Sequence, residues 1–426
     1  MAWFFERSEE ITSEQLKELT LRSGRACKER ICSNPKRVLL LPPDITRMHS
    51  LSGDITRWLY HSFAASAEVY VMPTLGQHLP HTPEQNRRMF GDIPEERILV
   101  HDWIKDGIRL GTIPADYVKK VTAGKVDWEI PVVINRLVVE GKWDLIINIG
   151  HVVPHEVLGF ANHNKNYFIG LGGKEMICAS HMAAATYGIE NNLGCLTTPL
   201  RHCFNKAETE YLSALPDLYI QVVMKYNAQG RLVHSGFYCG DDTDTYLLAA
   251  EQSKAENITV VPPLKKVVAL MQGDEFFSTW VANKAVYRTR KAMADGGQLL
   301  IIAPGLKRFG EQEVVERIIR KYGYAGTPAV LQAWKQDPLL QDFSHAAAHL
   351  IHGSSEGRFN ITYAPRFLGE EDVRSVHYGY MDYEEAIKRY NPNELKNGFN
   401  LLPDGEEIYY ISTPSAGLWT TKEKLN

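Results

Sequence analysis

Ten of the 15 histidines of the chain lie between His49 and His202, so imidazole side chains are concentrated in the N-terminal half. An imidazole exchanges protons near neutral pH and is also a common metal ligand. Acid–base or metal chemistry is therefore expected in this half of the chain.

Several of these histidines stand in polar segments that follow apolar runs. The segments cover residues 42–47, 76–81 and 150–155, and the third continues to residue 174. A single histidine is more often a hydrogen-bonded structural residue than a catalytic one, and Asp44 and Arg47 taken alone could be a helix cap and a surface charge. Ligands of an open α/β sheet, however, bind outside the carboxyl ends of its strands. The recurrence of polar groups at three such ends therefore favours a shared site.

Other motifs in the sequence are weak. Residues 170–174, Gly-Leu-Gly-Gly-Lys, lack the spacing of a phosphate-binding loop, so these glycines favour a turn or the close approach of a bulky ligand. His345 and His349 are four residues apart, on one face of a helical turn. Without a third ligand, this pair favours a solvated or core helix. No HExxH, GxSxG or Cys/His zinc spacing occurs.

The elements that carry these segments alternate between strands and helices. Apolar runs such as 37–41 and 144–150 are typical of parallel strands buried on both faces. Residues 218–226 and 231–239 flank the turn residues 227–230 and predict an antiparallel hairpin. The whole pattern predicts an α/β fold with mostly parallel sheets flanked by helices.

A second set of elements begins after the Val-Val-Pro-Pro stretch at 260–263. Its predicted elements are strands at 266–271 and 298–303 and helices at 282–294 and 311–321. We therefore predict two domains, each with a mostly parallel sheet, and an active site in the cleft between them. The predicted boundaries are 1–262 for the N-terminal cofactor-binding and catalytic domain, 263–404 for the C-terminal α/β domain that closes over the substrate, and 405–426 as a segment returning to the first domain.

The composition excludes several classes of function. The 426 residues carry a net charge of −4 and are 44% hydrophobic, which argues against a nucleic-acid or membrane partner. No apolar stretch is long enough to span a membrane, and the N-terminus lacks the pattern of a signal peptide. The six cysteines form no CxxC pair. We expect a reduced, cytoplasmic protein of unknown oligomeric state.

Three of the polar segments resemble the nickel-pincer lactate racemase family. Residues 44–47 resemble its Asp-x-Thr-Arg loop, 76–78 its Gly-x-His segment and 154–160 its Pro-His-x-x-x-Gly-Phe segment. Lys165 follows His155 by ten residues and His181 follows Lys165 by 16, which are the family's spacings from base to tethering lysine to nickel ligand. The resemblance covers residues 37–181 well and extends to about residue 304.

The resemblance implies a racemase or epimerase that inverts C2 of a 2-hydroxy acid, either lactate or a larger acid such as a sugar acid, by proton-coupled hydride transfer. The implied cofactor is a nickel-pincer nucleotide, pyridinium-3-thioamide-5-thiocarboxylate mononucleotide nickel. Because this cofactor has to be made, cofactor-synthesis enzymes are implied partners.

The implied site residues fall into three groups. His78 and His155 act as the two catalytic bases. Lys165 is the covalent tether, His181 the nickel ligand, and Asp44, which also orients His78, completes the cofactor site with Gly172 and Gly173. The substrate carboxylate binds Arg47 as first candidate and Lys291 as second, with Tyr287 and Arg288 beside it.

The sequence departs from the family pattern at two places. The family's Ser-Gly-Gly before the tethering lysine is replaced by polar, bulkier residues at 161–164. A rival lysine, Lys174, stands in a Gly-Gly-Lys context, but only Lys165 satisfies both spacings. The family's Tyr-Gln-x-x-Lys helix is matched to 287–291, where Arg288 replaces glutamine; a solvated basic face is the alternative there. The polar run 162–166 and Arg288 favour a substrate more polar than lactate.

Two other functions remain open from the sequence. One is a metal-dependent hydrolase that uses the N-terminal histidine cluster. The other is a non-catalytic binding protein for a sugar acid or a nucleotide, with structural histidines. The spacing from His155 to Lys165 to His181 favours the racemase.

Overall fold

The computed structural model describes residues 2–227, 229–273 and 276–425. The chain divides into two units. Unit 1 runs to Ser180 and also contains Cys195–Asn257, whereas unit 2 contains His181–Gly194 and the chain from Ile258 onward.

Unit 1 is built on a mixed sheet. Its strands are β1 Phe4–Ile11, β2 Arg37–Leu41, β3 Glu68–Val71, β4 Gly107–Ile113, β5 Ile130–Asn135, β6 Leu145–His151, β7 Pro154–His155, β8 Gly159–Phe160, β9 Asp217–Tyr226 and β10 Leu232–Gly240. Six of them form one sheet in the order β1-β10-β9-β6-β2-β3. The pairs from β9 to β3 are parallel, and β10 pairs antiparallel with β9 and β1. All residues of β6 are buried, as expected for a central strand covered on both faces.

Helices alternate with these strands along the chain. They are α1 Ser13–Arg30, α2 Ser52–Ala64, α3 Pro83–Phe90, α4 Ala115–Val121, α5 Arg136–Glu140, α6 Lys174–Tyr187, α7 Ile189–Asn192, α8 Pro199–Tyr211 and α9 Thr243–Asn257. Of these, α6 begins in unit 1 and ends in unit 2, and α7 belongs to unit 2. Leu59 and Phe63 of α2 are fully buried in one core with Leu40 and Ile147 of the sheet. This apolar layer fixes the strand ends that carry the polar segments.

Unit 2 has its own, mostly parallel sheet. Its strands are β11 Ile258–Val260, β12 Leu264–Leu270, β13 Met293–Ala303, β14 Asn360–Pro365, β15 Gly379–Tyr380, β16 Gly398–Leu401, β17 Glu407–Ile411 and β18 Leu418–Thr420. The six-stranded sheet has the order β15-β14-β13-β12-β17-β16, with β16 as its antiparallel edge. Its helices are α10 Thr279–Ala282, α11 Lys284–Thr289, α12 Glu313–Tyr322, α13 Thr327–Gln336, α14 Pro338–Asp342, α15 Ser344–Gly353, α16 Glu370–Ser375 and α17 Tyr383–Arg389.

The predicted α/β class with parallel-rich sheets flanked by helices is confirmed. The predicted hairpin is also confirmed, because β9 and β10 pair antiparallel. Of the turn residues predicted between them, Ala228 lies outside the described residues. None of the helices within the described residues combines the length and the apolar character that a bilayer crossing demands.

Two expectations about the C-terminal half are corrected. The segment 405–426 does not return to unit 1, because the apolar strand β17 pairs in parallel with β12 and β18 pairs with β11, both within unit 2. The helix predicted at 282–294 ends at Thr289, and Met293 already begins β13. The boundary between the two units falls after Asn257 and not after residue 262. Unit 2 also contains the earlier segment His181–Gly194.

Candidate active site

The loop after β2 is organised by Asp44. Asp44 is the N-cap of a short 3-10 helix, Ile45–Ser50. Its Oδ1 accepts hydrogen bonds from the backbone N–H and the hydroxyl of Thr46, at 3.1 and 2.6 Å. Its Oδ2 accepts a short hydrogen bond from Nδ1 of His78. One oxygen of this buried carboxylate therefore holds the loop, and the other holds the imidazole.

The Asp44 carboxylate also determines the protonation pattern of His78. An ionised carboxylate only accepts hydrogen bonds, so Nδ1 of His78 carries a proton and the lone pair of the neutral ring lies on Nε2. Burial works against ionisation of Asp44, but the charge and hydrogen bond of His78 and the hydrogen bonds of Thr46 outweigh it, and they hold the pKa of Asp44 below its ordinary range. The pair is thus a carboxylate-oriented base.

His81 has a structural role beside this pair. The backbone N–H of Ile45 donates to Nε2 of His81 at 2.8 Å, so the neutral ring carries its proton on Nδ1, which donates to Asn86 at 3.1 Å. Burial lowers the pKa of His81, although Asp44 opposes that shift. Nε2 of His81 thus holds the Asp44 loop and Nδ1 holds α3, which is the structural role expected of a single histidine.

His155 lies in a tight hairpin formed by β7 and β8. The N–H of Val157 donates to Nδ1 of His155 at 3.2 Å, so the neutral ring carries its proton on Nε2. That nitrogen lies 3.8 Å from Oε1 of Glu156. The hairpin depends on Gly159, whose φ is +77° and whose missing Cβ would lie 1.9 Å from the carbonyl oxygen of Cys195.

Lys165 lies in a charged environment directly before a π-helical turn, Asn166–Gly170. Burial is the main reason that the pKa of Lys165 falls to about 8. Arg47 lowers this pKa further, whereas Glu156 and Asp44 raise it. Burial also lowers the pKa of Arg47, against the attraction of Asp44 and Glu156. The structure thus brings the predicted tether, the predicted carboxylate-binding arginine and the oriented base into one electrostatic cluster.

Gly172 and Gly173 are both buried, and their expected role in cofactor binding stays a prediction. A Cβ on Gly172 would lie 2.2 Å from the carbonyl oxygen of Phe168, and one on Gly173 would lie 2.4 Å from Val133. Their N–H groups donate to carbonyl oxygens of Ile169 and Val133. Both glycines are therefore explained by tight packing against β5 and the π-helical turn.

The polar run that suggested a polar substrate is also used internally. The amide of Asn166 donates to Oδ1 of Asn162 at 3.0 Å, and that of Asn164 donates to Asn205 and Glu208 at 2.8 and 2.9 Å. These side chains hold the loop before and after Lys165. The run therefore gives no information about substrate polarity.

The remaining predicted cofactor residue, His181, lies on α6. It is partly exposed and directly follows Ser180, the last residue of the first segment of unit 1. The rival lysine, Lys174, is the first residue of the same helix, and its N–H donates to the carbonyl oxygen of Trp103 at 2.8 Å.

The predicted substrate residues of the C-terminal half lie inside unit 2. Tyr287, Arg288 and Lys291 are all at least nine-tenths buried, which excludes the solvated basic face for Arg288 and Lys291. The ammonium group of Lys291 donates to the carbonyl oxygen of Leu193 at 3.5 Å. The hydroxyl of Tyr287 is 2.8 Å from Nδ1 of His349.

The hydroxyl of Tyr287 begins a chain of hydrogen bonds that ends at the carbonyl oxygen of Phe309. Thr279 donates to the carbonyl oxygen of Phe309, so Tyr324 must donate to Thr279, and Nε2 of His349 must donate to Tyr324. The remaining nitrogen of His349 then accepts from Tyr287. His349 is therefore a core histidine, one of the two alternatives that the sequence left open.

Sequence reasoning missed a second buried polar network, which lies in unit 1. Arg201 is only 2% exposed and donates to the carbonyl oxygen of Phe160, the amide oxygen of Asn164 and the hydroxyl of Tyr246. The available signal was an arginine within the apolar face of α8, between Leu200 and Phe204.

The comparison with known families finds a match in the N-terminal part of the chain. Residues 7–192 match the family model of the lactate racemase N-terminal domain. This part of the chain is therefore similar to a lactate racemase N-terminal domain. Asp44, His78, His155, Lys165 and His181 all lie within the matched residues, and the resemblance to the lactate racemase family is confirmed.

Two solved structures resemble the lactate racemase-like chain over nearly its whole length. A Thermotoga maritima protein is 25% identical, with a TM-score of 0.81 over 98% of this chain and 100% of that one. The lactate racemase apoprotein from Thermoanaerobacterium thermosaccharolyticum has a TM-score of 0.66 over 95% of this chain and 92% of that one. At 16% identity, the second likeness concerns the fold. No curated protein matches the chain in sequence.

Proposed function

We propose that this lactate racemase-like chain inverts C2 of a 2-hydroxy acid, with a nickel-pincer nucleotide bound covalently to Lys165 and ligated by His181. The observation that carries the proposal is the cluster around Lys165. A lysine with a lowered pKa stands in the field of Arg47 and of the Asp44 carboxylate that orients the base His78. The family match over residues 7–192 supports the same assignment.

The donor groups of the chain fit this cofactor. A covalent bond to an amine requires its neutral form, and a pKa of about 8 makes a substantial fraction of the Lys165 amine neutral near pH 8. Nickel that arrives within an organic pincer needs few ligands from the protein, and one imidazole, that of His181, is suitable. Within the part of the chain that the structure describes, no group of three or more His, Cys, Asp or Glu side chains is placed to hold a metal ion. A hydrolase with a protein-only metal centre therefore finds no support.

The chain's own residues would bind and orient the substrate and move its proton. Arg47 offers the planar guanidinium that suits a substrate carboxylate. Nε2 of His78 accepts the hydroxyl proton, and the Asp44 carboxylate stabilises the imidazolium that forms. The nickel-pincer nucleotide, which Lys165 and His181 would hold, would supply the reversible hydride acceptor that inversion at C2 needs.

His155 serves the opposite face. In its charged form, which gives up the hydrogen bond from the Val157 N–H, this ring donates the Nε2 proton to the keto oxygen as the hydroxyl is restored, and Glu156 stabilises that charged form. In the reverse direction the two histidines exchange roles. In the resting chain, the hydrogen bonds at Nδ1 leave the lone pair on Nε2 of His78 and a proton on Nε2 of His155.

Chiral analysis in deuterated buffer tests the proposal. Protein produced together with the cofactor-synthesis enzymes is incubated with single enantiomers of lactate and of larger 2-hydroxy acids. We expect inversion of at least one acid with its C2 hydrogen retained, because hydride does not exchange with solvent. The Lys165→Arg variant, which keeps the charge but cannot form the tether, should be inactive. Full deuteration at C2 would indicate simple proton abstraction and contradict the proposal, as would the absence of inversion by protein that carries the adduct.

A further inference from the structure

Arg201 is a buried cation whose hydrogen bonds go to neutral groups. It donates to the carbonyl oxygen of Phe160 at 2.8 Å, to Oδ1 of Asn164 at 2.5 Å and to the hydroxyl of Tyr246 at 2.9 Å. A longer bond of 3.5 Å reaches the carbonyl oxygen of Asn162. The ring of Tyr246 lies 4.2 Å from the guanidinium carbon. Burying a guanidinium costs free energy that its hydrogen bonds have to offset, so these bonds hold the acceptor segment firmly.

The segment that Arg201 holds is strained. Asn162 and His163 have φ values of +71° and +60°, in the left-handed region. Each non-glycine residue there costs roughly 1 kcal/mol. The side chains of both residues are buried. The strained conformation persists only because surrounding contacts determine it.

His163 shows how tightly the segment is packed. Its ring is 1% exposed and stacks on Tyr219, with ring centroids 4.2 Å apart and an interplanar angle of 26°. Its other face is near Tyr246, at 5.3 Å. Burial lowers the pKa of His163 to about 4, so the ring is neutral. The ring therefore acts as a packing group in this segment.

The acceptors of Arg201 on the segment all lie in the five residues that precede Lys165. We propose that Arg201 is the positioning residue for Lys165, because its guanidinium fixes residues 160–164 in the one conformation that presents the lysine to its cluster. The assignment rests on the proposed function only in giving Lys165 the role of tether. The positioning itself is a property of the chain without cofactor.

The charges around Lys165 make this positioning measurable. Burial together with the Arg47 and Arg201 charges favours the neutral amine, and Glu156 and Asp44 favour the ammonium. If the segment loosens, Lys165 becomes hydrated and its pKa rises from about 8 towards the ordinary 10.5. An amine with a pKa near 8 is about half neutral at pH 8, against roughly 0.3% for one near 10.5.

The test is competitive labelling of the cofactor-free chain with trace acetic anhydride, read for each lysine by peptide mass spectrometry as a function of pH. Lys105, whose side chain is 81% exposed, is the internal reference. We expect a labelling midpoint near pH 8 for Lys165 in the natural chain. In Arg201→Met, the midpoint should rise by at least one pH unit, with a loss of labelling at pH 8 of about fivefold or more.

Three further variants separate positioning from charge and from stability. Arg201→Lys keeps the charge but not the planar fork, so it should behave like Arg201→Met. Tyr246→Phe removes one acceptor of Arg201 and keeps the ring. It should therefore raise the Lys165 midpoint, but by less than Arg201→Met does. If Arg201→Met does not fold, Tyr246→Phe supplies the test. Arg290→Met removes a buried arginine of unit 2 and should leave the midpoint unchanged.

Two outcomes would overturn the positioning role. One is an unchanged midpoint in a folded Arg201→Met or Tyr246→Phe variant. The other is full restoration by Arg201→Lys, which would reduce Arg201 to a charge. Because the chain carries no cofactor in this experiment, its outcome is independent of whether the racemase proposal holds.

Discussion

Nδ1 of His78 and Oδ2 of Asp44 share one hydrogen bond, which decides which nitrogen of the ring can accept a proton. The other oxygen of Asp44 is held by Thr46, so the carboxylate cannot turn away without losing two hydrogen bonds. A base oriented in this way loses little freedom as it accepts a proton, and the adjacent negative charge stabilises its charged form.

Replacing Asp44 by Asn should remove this control. The amide can donate to Nδ1 of His78, which moves the ring proton to Nε2 and removes the lone pair from the substrate side. We expect kcat to fall roughly 100- to 10,000-fold in cofactor-loaded protein. Thr46→Val is the matched control, because it removes one bond to Asp44 and leaves the contact with His78. A loss of less than about threefold in Asp44→Asn, at equal cofactor loading, would show that the carboxylate does not set the tautomer.

The two catalytic histidines should show opposite tautomers. Nδ1 of His78 donates to a carboxylate, whereas Nδ1 of His155 accepts from the N–H of Val157. Two-bond nitrogen–proton correlation spectra of the substrate-free chain, recorded at a pH where both rings are neutral, should identify Nδ1–H for His78 and Nε2–H for His155. Spectra of His78→Gln and His155→Gln assign the signals. The same tautomer in both rings would contradict the assigned division between acceptor and donor.

Gly159→Ala should destabilise unit 1 strongly. The substitution meets both a left-handed backbone, with φ of +77°, and a clash of 1.9 Å with the carbonyl oxygen of Cys195. Gly124→Ala is the control, because Gly124 has φ of +83° but no atom within 4 Å of the added Cβ. We expect a loss of about 1 kcal/mol for Gly124→Ala and several kcal/mol for Gly159→Ala in chemical denaturation. Equal losses would mean that the clash relaxes.

Asp217→Asn should change how stability depends on pH. Burial raises the pKa of Asp217 from 3.8 to about 7, with Glu208 adding to the shift and the Tyr167 hydroxyl opposing it. The folded chain then holds the proton more tightly than the unfolded chain. This contribution to stability is fully present below pH 4 and is lost as pH rises to about 7.

The Asn variant keeps an acceptor for the Tyr167 hydroxyl but does not ionise. Relative to the natural chain, its free energy of unfolding should therefore increase between pH 4 and pH 7, by at most about 4 kcal/mol, and then stay constant. Urea denaturation at several pH values measures the difference. A difference that does not change with pH would show that Asp217 ionises normally.

The sequence predicted the framework of the site because that framework is local. The runs 37–41 and 144–150 are uninterrupted apolar stretches, and they form β2 and β6. Polar side chains directly after such strands meet at one edge of a parallel sheet, which is why Asp44, His78 and His155 could be named. Their roles stay predictions that the experiments above test.

The features of the site that could not be predicted from the sequence depend on tertiary contacts. Arg201 is 36 residues from Lys165 in the chain, and only the packing of α8 brings it to the preceding segment. The left-handed conformation of His163 could not be predicted, because a glycine is the usual sequence signal for it and this position is not a glycine. We expected the segment that contains β17 to join the first domain, but β17 pairs with β12 of unit 2. The apolar pattern of a strand does not indicate which sheet the strand joins.

The central claim is that Lys165 holds the cofactor, and peptide mass spectrometry tests it directly. Protein produced with the cofactor-synthesis enzymes is digested, and the peptides that contain Lys165 and Lys174 are compared with those from protein produced without them. We expect a mass increase on Lys165 equal to the nucleotide less the group that leaves when the bond to Nζ forms, with Lys174 unmodified. An active, nickel-containing preparation with unmodified Lys165, or an adduct on Lys174 instead, would contradict it.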